Sequence, residues 1–195
     1  MLSNLYNLIL IPWLILAIIS FLLLFKITAP YGKFSDRKYG VLINYKLGWF
    51  IQEIISPLFL FYFFYIGNIE KTFIHWFLII IWIIHYINRS IIFPLRLKKS
   101  SKMPISVIFS AIFFNVVNGF TNGYYLGNLA VFPNEYFLNT NFILGLLFFI
   151  TGVSINVNAD NILIKIRNQN KGYQIPKGKL YNLISCPNYL GEMIE

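Results

Sequence analysis

Five long apolar runs constrain this chain more than any other feature. Lipid offers no hydrogen bonds to a backbone, so a chain that crosses it must do so as helices or as a closed barrel. A crossing helix needs about 20 mostly apolar residues. Stretches close to that length occur at Leu5–Phe25, Leu47–Ile66, Phe73–Phe93, Ile105–Asn118 with room to extend, and Phe142–Val157. Hydrophobic residues make up 57% of the chain and charged residues 12%, against roughly a quarter charged in soluble proteins. The 20 Phe and 13 Tyr are spread through these runs, as a lipid-facing surface with aromatic interfaces requires. The first run is too long, and too poor in basic residues at its start, for a cleaved signal peptide. It reads as a retained anchor over residues 1–28, and the chain as an all-α integral membrane protein.

The net charge of +9 invites comparison with nucleic-acid binders, so the placement of the basic residues decides. Lys26, Lys33, Arg37, Lys38 and Lys46 lie between the first two runs. Arg89, at the end of the third run, and Arg96, Lys98, Lys99 and Lys102 belong to the side between the third and fourth, and Lys165, Arg167, Lys171, Lys177 and Lys179 follow the fifth. Alternate loops thus hold 15 of the 16 basic residues, and the other two hold only Lys71 beside Glu70 and Glu135. By the positive-inside rule the N-terminus is lumenal or extracellular and the segment after the fifth run is cytoplasmic. The basic loops also suit anionic lipid headgroups, and no nucleic-acid partner is expected. The sequon Asn88-Arg89-Ser90 falls on the cytoplasmic side, out of reach of glycosylation. The single Cys186 excludes an internal disulfide and a paired-cysteine metal site. His75 and His85, ten residues apart, read as polar groups near helix ends and not as a zinc pair, so no metal is expected.

Several polar residues interrupt the apolar runs. Glu53, beside Gln52, places a carboxylate inside a span, at a cost of several kcal/mol unless it faces a cavity or a partner. Pro57 removes the backbone donor that the Glu53 carbonyl would accept from, and such a local break suits a cavity wall. Tyr86 and Arg89, three apart, share a helix face. A buried carboxyl and a phenol can together polarise a substrate carbonyl, while an ordinary aromatic and basic interface belt is the simpler account of Tyr86 and Arg89. Asn115, Asn118-Gly119 and Asn122-Gly123 predict either a break in the fourth helix or a polar cavity wall, with turn chemistry as the alternative. Asn156 and Asp160, four apart, present two polar groups to one side of a continuing helix, and Arg167 offers a fork for phosphate. Gly172-Tyr173-Gln174-Ile175-Pro176 and Asn188-Tyr189-Leu190-Gly191-Glu192 complete a polar region at the cytoplasmic edge. No strand is followed by G-x-G-x-x-G, so a dinucleotide here is not held in the Rossmann manner.

Taken in order, these residues resemble the steroid 5α-reductases and their plant brassinosteroid relatives, within the membrane-embedded sterol and enoyl reductases. The resemblance runs from about Ala29 to the end. It is carried by Ala29-Pro30-Tyr31-Gly32-Lys33, Trp49-Phe50-Ile51-Gln52-Glu53, His85-Tyr86-Ile87-Asn88-Arg89 and Asn118-Gly119. Its strongest carriers are Asn156-Val157-Asn158-Ala159-Asp160, Gly172-Tyr173-Gln174-Ile175-Pro176-Lys177-Gly178 and Ser185-Cys186-Pro187-Asn188-Tyr189-Leu190-Gly191-Glu192.

The resemblance implies a seven-helix bundle, of which five transmembrane helices fall in this chain, with residues 29–195 forming the reductase-like membrane domain. It implies that such a bundle encloses NADPH and a hydrophobic enone and moves hydride to the β-carbon of a carbonyl-conjugated double bond. Glu53 and Tyr86 match the pair that holds the substrate carbonyl, and Trp49 matches a pocket wall. Asn118, Asn156, Asp160, Arg167, Tyr173, Asn188 and Glu192 match positions around NADPH. The expected substrate is a 3-oxo-Δ4 steroid or similar lipid. The alternatives are a trans-2-enoyl-CoA or a polyprenol reductase of the same superfamily, or a non-catalytic lipid-binding membrane protein. The family pattern places the protein in the endoplasmic reticulum of a eukaryote or the inner membrane of a bacterium. It also leads us to expect about two further spans after Glu195, so that the chain reads as truncated.

Overall fold

The structure is a computed structural model that describes residues 2–30, 32–97, 102–133, 135–169 and 174–195. Five helices among the described residues are long and apolar enough to cross a membrane: Leu2–Leu24, Tyr45–Tyr65, Phe73–Arg96, Ile105–Asn128 and Thr140–Asn168. They match the five predicted runs, and the described residues are helix and loop apart from two three-residue strands. The fold divides into two compact units, one of residues 1–69 and 102–130, the other of 70–101 and 131–195.

The first unit contains α1 (Leu2–Leu24), β1 (Leu42–Asn44), α2 (Tyr45–Tyr65), β2 (Lys102–Pro104) and α5 (Ile105–Asn128). β1 and β2 pair antiparallel, Ile43 opposite Met103, and each strand leads directly into its helix. α2 and α5 then run side by side in the same direction. Gly48 lies against Met103 and Ile108, Gly119 against Ser56 and Phe59, and Gly127 against Phe63 and Phe64. Spans two and four of an alternating bundle must be parallel in this way. α1 has no buried residue and touches α5 through aromatic pairs such as Tyr6–Tyr124 at 5.1 Å.

The break, one of the alternatives open for the fourth span, is excluded, and so is a break at Pro57. The fourth span does not break at its Asn-Gly pairs, because Gly119, Gly123 and Gly127 recur every four residues on the face that meets α2. A Cβ on Gly123 would fall 2.5 Å from the Leu60 carbonyl oxygen, so the glycines serve close helix packing, as small residues at that spacing do in membranes. The asparagines bond back to their own helix: Asn122 Nδ2 donates to the Asn118 carbonyl at 2.9 Å and to Asn118 Oδ1 at 3.0 Å. Nor does Pro57 break α2, which continues to Tyr65 with Pro57 buried.

The second unit holds α3 (Phe73–Ile87), a five-residue π turn (Asn88–Ile92), α4 (Phe93–Arg96), α6 (Thr140–Asn168) and α7 (Pro187–Ile194). His75 Nδ1 accepts from the Thr72 backbone N–H at 3.1 Å and so caps α3, the helix-end role its position suggested. α6 has 29 residues, about 43 Å at 1.5 Å per residue. It exceeds the roughly 30 Å hydrocarbon core, so its polar last turns reach the interface.

Candidate functional site

The polar residues of the first unit gather on α2 and the facing side of α5. Gln52 is buried and Glu53 half-buried, and Gln52 Nε2 donates to Glu53 Oε1 at 2.9 Å. Asn115, buried on α5, donates through Nδ2 to the Gln52 carbonyl at 2.7 Å. That bond supports the backbone one residue before the carbonyl that Pro57 releases. Gln52 Oε1 is buried without a hydrogen-bond partner among the described residues. A buried amide oxygen in that state needs a donor from a ligand or water. Trp49 is buried one turn earlier, its ring 6.0 Å from that of Tyr45. Asn118 is half-buried one turn beyond Asn115.

In the second unit the end of the third span and the α6–α7 pair build a charged cluster. The π turn carries one extra residue per turn, a local feature frequent at functional sites, and Arg89 and Ser90 within it are buried. The Arg89 guanidinium lies 3.3 Å from Asp160 Oδ2 and 2.9 Å from Glu192 Oε1. The Arg89 and Asp160 side chains are only 6% and 5% exposed. Glu192 Oε1 also accepts from Asn156 Nδ2 at 3.0 Å, and the same Nδ2 donates to the Asn188 carbonyl at 3.1 Å. Asn156 and Asp160, four apart on the continuing α6, share one side of it as their spacing predicted, and both are buried.

Two glycines let α6 and α7 come this close. A Cβ on Gly152 would sit 2.6 Å from the Gly191 carbonyl oxygen, and one on Gly191 would sit 2.6 Å from the Asn156 backbone nitrogen. Tyr86 is buried just before the π turn, its ring stacked on Trp82 at 5.7 Å, and the Ser90 hydroxyl donates to its carbonyl at 2.6 Å.

Comparison with known proteins decides the family. The family model for 3-oxo-5-alpha-steroid 4-dehydrogenase matches residues 101–195. The steroid 5-alpha-reductase DET2 of Gossypium hirsutum is 34% identical over 99% of this chain and 77% of its own length. The chain belongs to the steroid 5α-reductase family. The protein of the same name from Arabidopsis thaliana is 33% identical over 86% of the chain and 67% of its own length. The 3-oxo-5-alpha-steroid 4-dehydrogenase 1 of Rattus norvegicus is 28% identical over 92% of the chain and 71% of its own length.

For a steroid 5α-reductase a nicotinamide cofactor is implied, and the second unit's cluster suits one end of such a molecule. Asp160 Oδ1 is buried without a hydrogen-bond partner among the described residues. Asp160 and Glu192 already occupy Arg89, so the remaining acceptors call for neutral donors, such as sugar hydroxyls or a carboxamide, and repel phosphate. Arg167 stands exposed nearer the end of α6. Of the predicted site residues, Trp49, Glu53 and Asn118 belong to the first unit. Tyr86, Asn156, Asp160, Arg167, Asn188 and Glu192 belong to the second. Tyr173 lies outside the described residues, as do Tyr31 and Gly172 of the family motifs.

Sequence reasoning did not single out Glu195, whose side chain is 7% exposed and paired through Oε1 with His85 Nδ1. Its signal was there to read: Glu192 and Glu195 are three apart on a helix, as His85 and Arg89 are four apart at the end of the third span.

Proposed function

We propose that this protein is a membrane-bound reductase that uses NADPH to saturate the C=C bond of a lipid enone, with a 3-oxo-Δ4 steroid as the substrate. Family membership supports a steroid-reductase function. The observation that carries the cofactor half is the buried cluster of Arg89, Asp160, Glu192 and Asn156, with its unpartnered Asp160 oxygen. Asn156, Asp160, Asn188 and Glu192 would hold the neutral sugar and amide groups, Arg167 and Tyr173 the phosphates, and Asn118 a further polar group. When bound, NADPH supplies the hydride that reaches the β-carbon; the α-carbon takes a proton and the double bond becomes single.

The chain's own part is to bind, orient and polarise. Tyr86 donates its phenolic hydrogen to the substrate carbonyl oxygen, and the Glu53 carboxyl supplies the second hydrogen bond. Both bonds strengthen as negative charge builds on that oxygen, which is how such donors accelerate a reaction. Trp49 lines the apolar pocket that receives the steroid and keeps water from it. The placement of 15 of 16 basic residues on alternate loops supports an orientation with the N-terminus lumenal or extracellular and the α6–α7 end open to cytosolic nucleotide. In a eukaryote the membrane is that of the endoplasmic reticulum; in a bacterium it is the inner membrane.

Substitution of the proposed carbonyl-binding pair tests this reading. Tyr86→Phe and Glu53→Leu, each of which removes one donor, should each lower kcat by about 100- to 1000-fold, the usual loss for one such donor, while NADPH affinity changes little. Wild-type turnover in both variants would remove the pair from the mechanism.

A further inference from the structure

His85 and Glu195 have no part in the reaction described so far, yet they form the second rung of a short ladder. The first rung joins Arg89 to Glu192 at 2.9 Å. The second joins His85 Nδ1 to Glu195 Oε1, one turn away on both helices. A carboxylate on Nδ1 makes that nitrogen the donor and fixes the plane of the imidazole. The ring so fixed meets the Tyr86 ring edge-on, with centroids 5.0 Å apart and planes at 74°. Trp82 stacks on Tyr86 at 24°. Both rings pack on the phenol, and the His85 ring is itself tied to the Glu195 carboxyl.

We infer that His85 and Glu195 are a positioning pair: Glu195 orients His85, and His85 holds the Tyr86 ring in the direction its hydroxyl needs. The inference rests on the proposed role of Tyr86 at the substrate carbonyl. Without Glu195 the imidazole turns freely about its last side-chain bond, whose torsional wells are broad. The Tyr86 hydroxyl then samples directions away from the substrate oxygen. Misplacement of a reacting or polarising group by about 1 Å costs on the order of 100-fold in rate.

The test is steady-state kinetics of the full-length protein in membranes, with NADPH and a 3-oxo-Δ4 steroid, for His85→Ala, His85→Asn, Glu195→Ala and the double variant His85→Ala/Glu195→Ala. His85→Ala and Glu195→Ala should each lower kcat by about 10- to 100-fold and leave the KM for NADPH within about twofold. His85→Asn, which keeps a donor near the place of Nδ1 and a smaller planar group against Tyr86, should recover part of the rate. The double variant should be no slower than either single one, because one interaction is lost in all three. Equal rates for His85→Asn and His85→Ala, losses that multiply, or a loss confined to the KM for NADPH would overturn the inference. Glu195→Ala removes the same bond from the other side and decides the matter if His85→Ala does not accumulate. Tyr86→Phe, run in parallel, separates the two readings. If it turns over at the wild-type rate, the role of Tyr86 falls and this inference with it. If it is slow while His85→Ala is not, the positioning pair falls alone.

Discussion

A methyl group on Gly191 should loosen the site without touching any of its polar side chains. The Cβ of Gly191→Ala would lie 2.6 Å from the Asn156 nitrogen and 2.7 Å from the Gly152 carbonyl oxygen, where ordinary contact begins at 3.4 Å. Both neighbours are backbone, so α7 must retreat by about 0.8 Å to relieve the overlap. The Asn156–Glu192 and Asn156–Asn188 bonds cross the same seam at 3.0 and 3.1 Å. A retreat of that size stretches them to about 3.8 Å, beyond hydrogen-bond range. Overpacking costs about 1–3 kcal/mol, and the lost bond to a charged acceptor about 1.5–3 kcal/mol. The helix preference of Ala over Gly returns about 1 kcal/mol. The net loss is about 2–5 kcal/mol, which in a chain of this size lowers Tm by roughly 4–20 °C. Gly145→Ala is the control, since a Cβ there meets nothing within 4 Å, and its Tm should hold or rise slightly. Thermal unfolding of both variants in detergent, with NADPH affinity measured alongside, is the assay. Equal Tm for the two variants, with nucleotide affinity unchanged, would refute both the packing argument and the place of α7 in the site.

The charged cluster makes a second prediction. Arg89→Met leaves Asp160 buried without its cation, a loss of about 3–5 kcal/mol. Adding Asp160→Asn should restore part of the lost Tm, whereas independent effects would simply add. Tyr181 lies outside the spans, and burial, followed by the neighbouring Asp160 carboxylate, pushes its phenol up to about 12 from 10.0. The folded chain thus keeps a proton that the unfolded chain releases, so this contribution to stability is complete below about pH 10 and is lost as pH rises toward 12. Tyr181→Phe should make the loss of stability across that window shallower, and an unchanged alkaline profile would contradict the assignment.

The spans were legible because a run of about 20 apolar residues has few other fates, and the loop charges reinforced their boundaries. The Asn-Gly pairs of α5 misled for a physical reason: the dipeptide signals a turn in water, but glycines four apart also form a packing stripe in lipid. Only the partner helix distinguishes the two. That Asn156 and Asp160 share one side of α6 was readable from their spacing; that this side is buried was not, because burial depends on the helix packed against it. The π turn was not, because Asn88-Arg89-Ser90-Ile91-Ile92 has no local mark of an extra residue, and that turn carries buried Arg89 and Ser90. Glu195 escaped notice because its spacing from Glu192 marks a shared helix face but does not name a partner 110 residues away.

The most direct measurement of the central claim is NADPH oxidation by the full-length protein in membranes, followed with and without lipid enones and with mass spectrometry of the product. The account predicts NADPH consumption that depends on a 3-oxo-Δ4 steroid and yields the corresponding saturated 3-ketone. No turnover across a panel of such steroids would contradict the substrate. Failure to bind NADPH at all would contradict the enzyme reading itself.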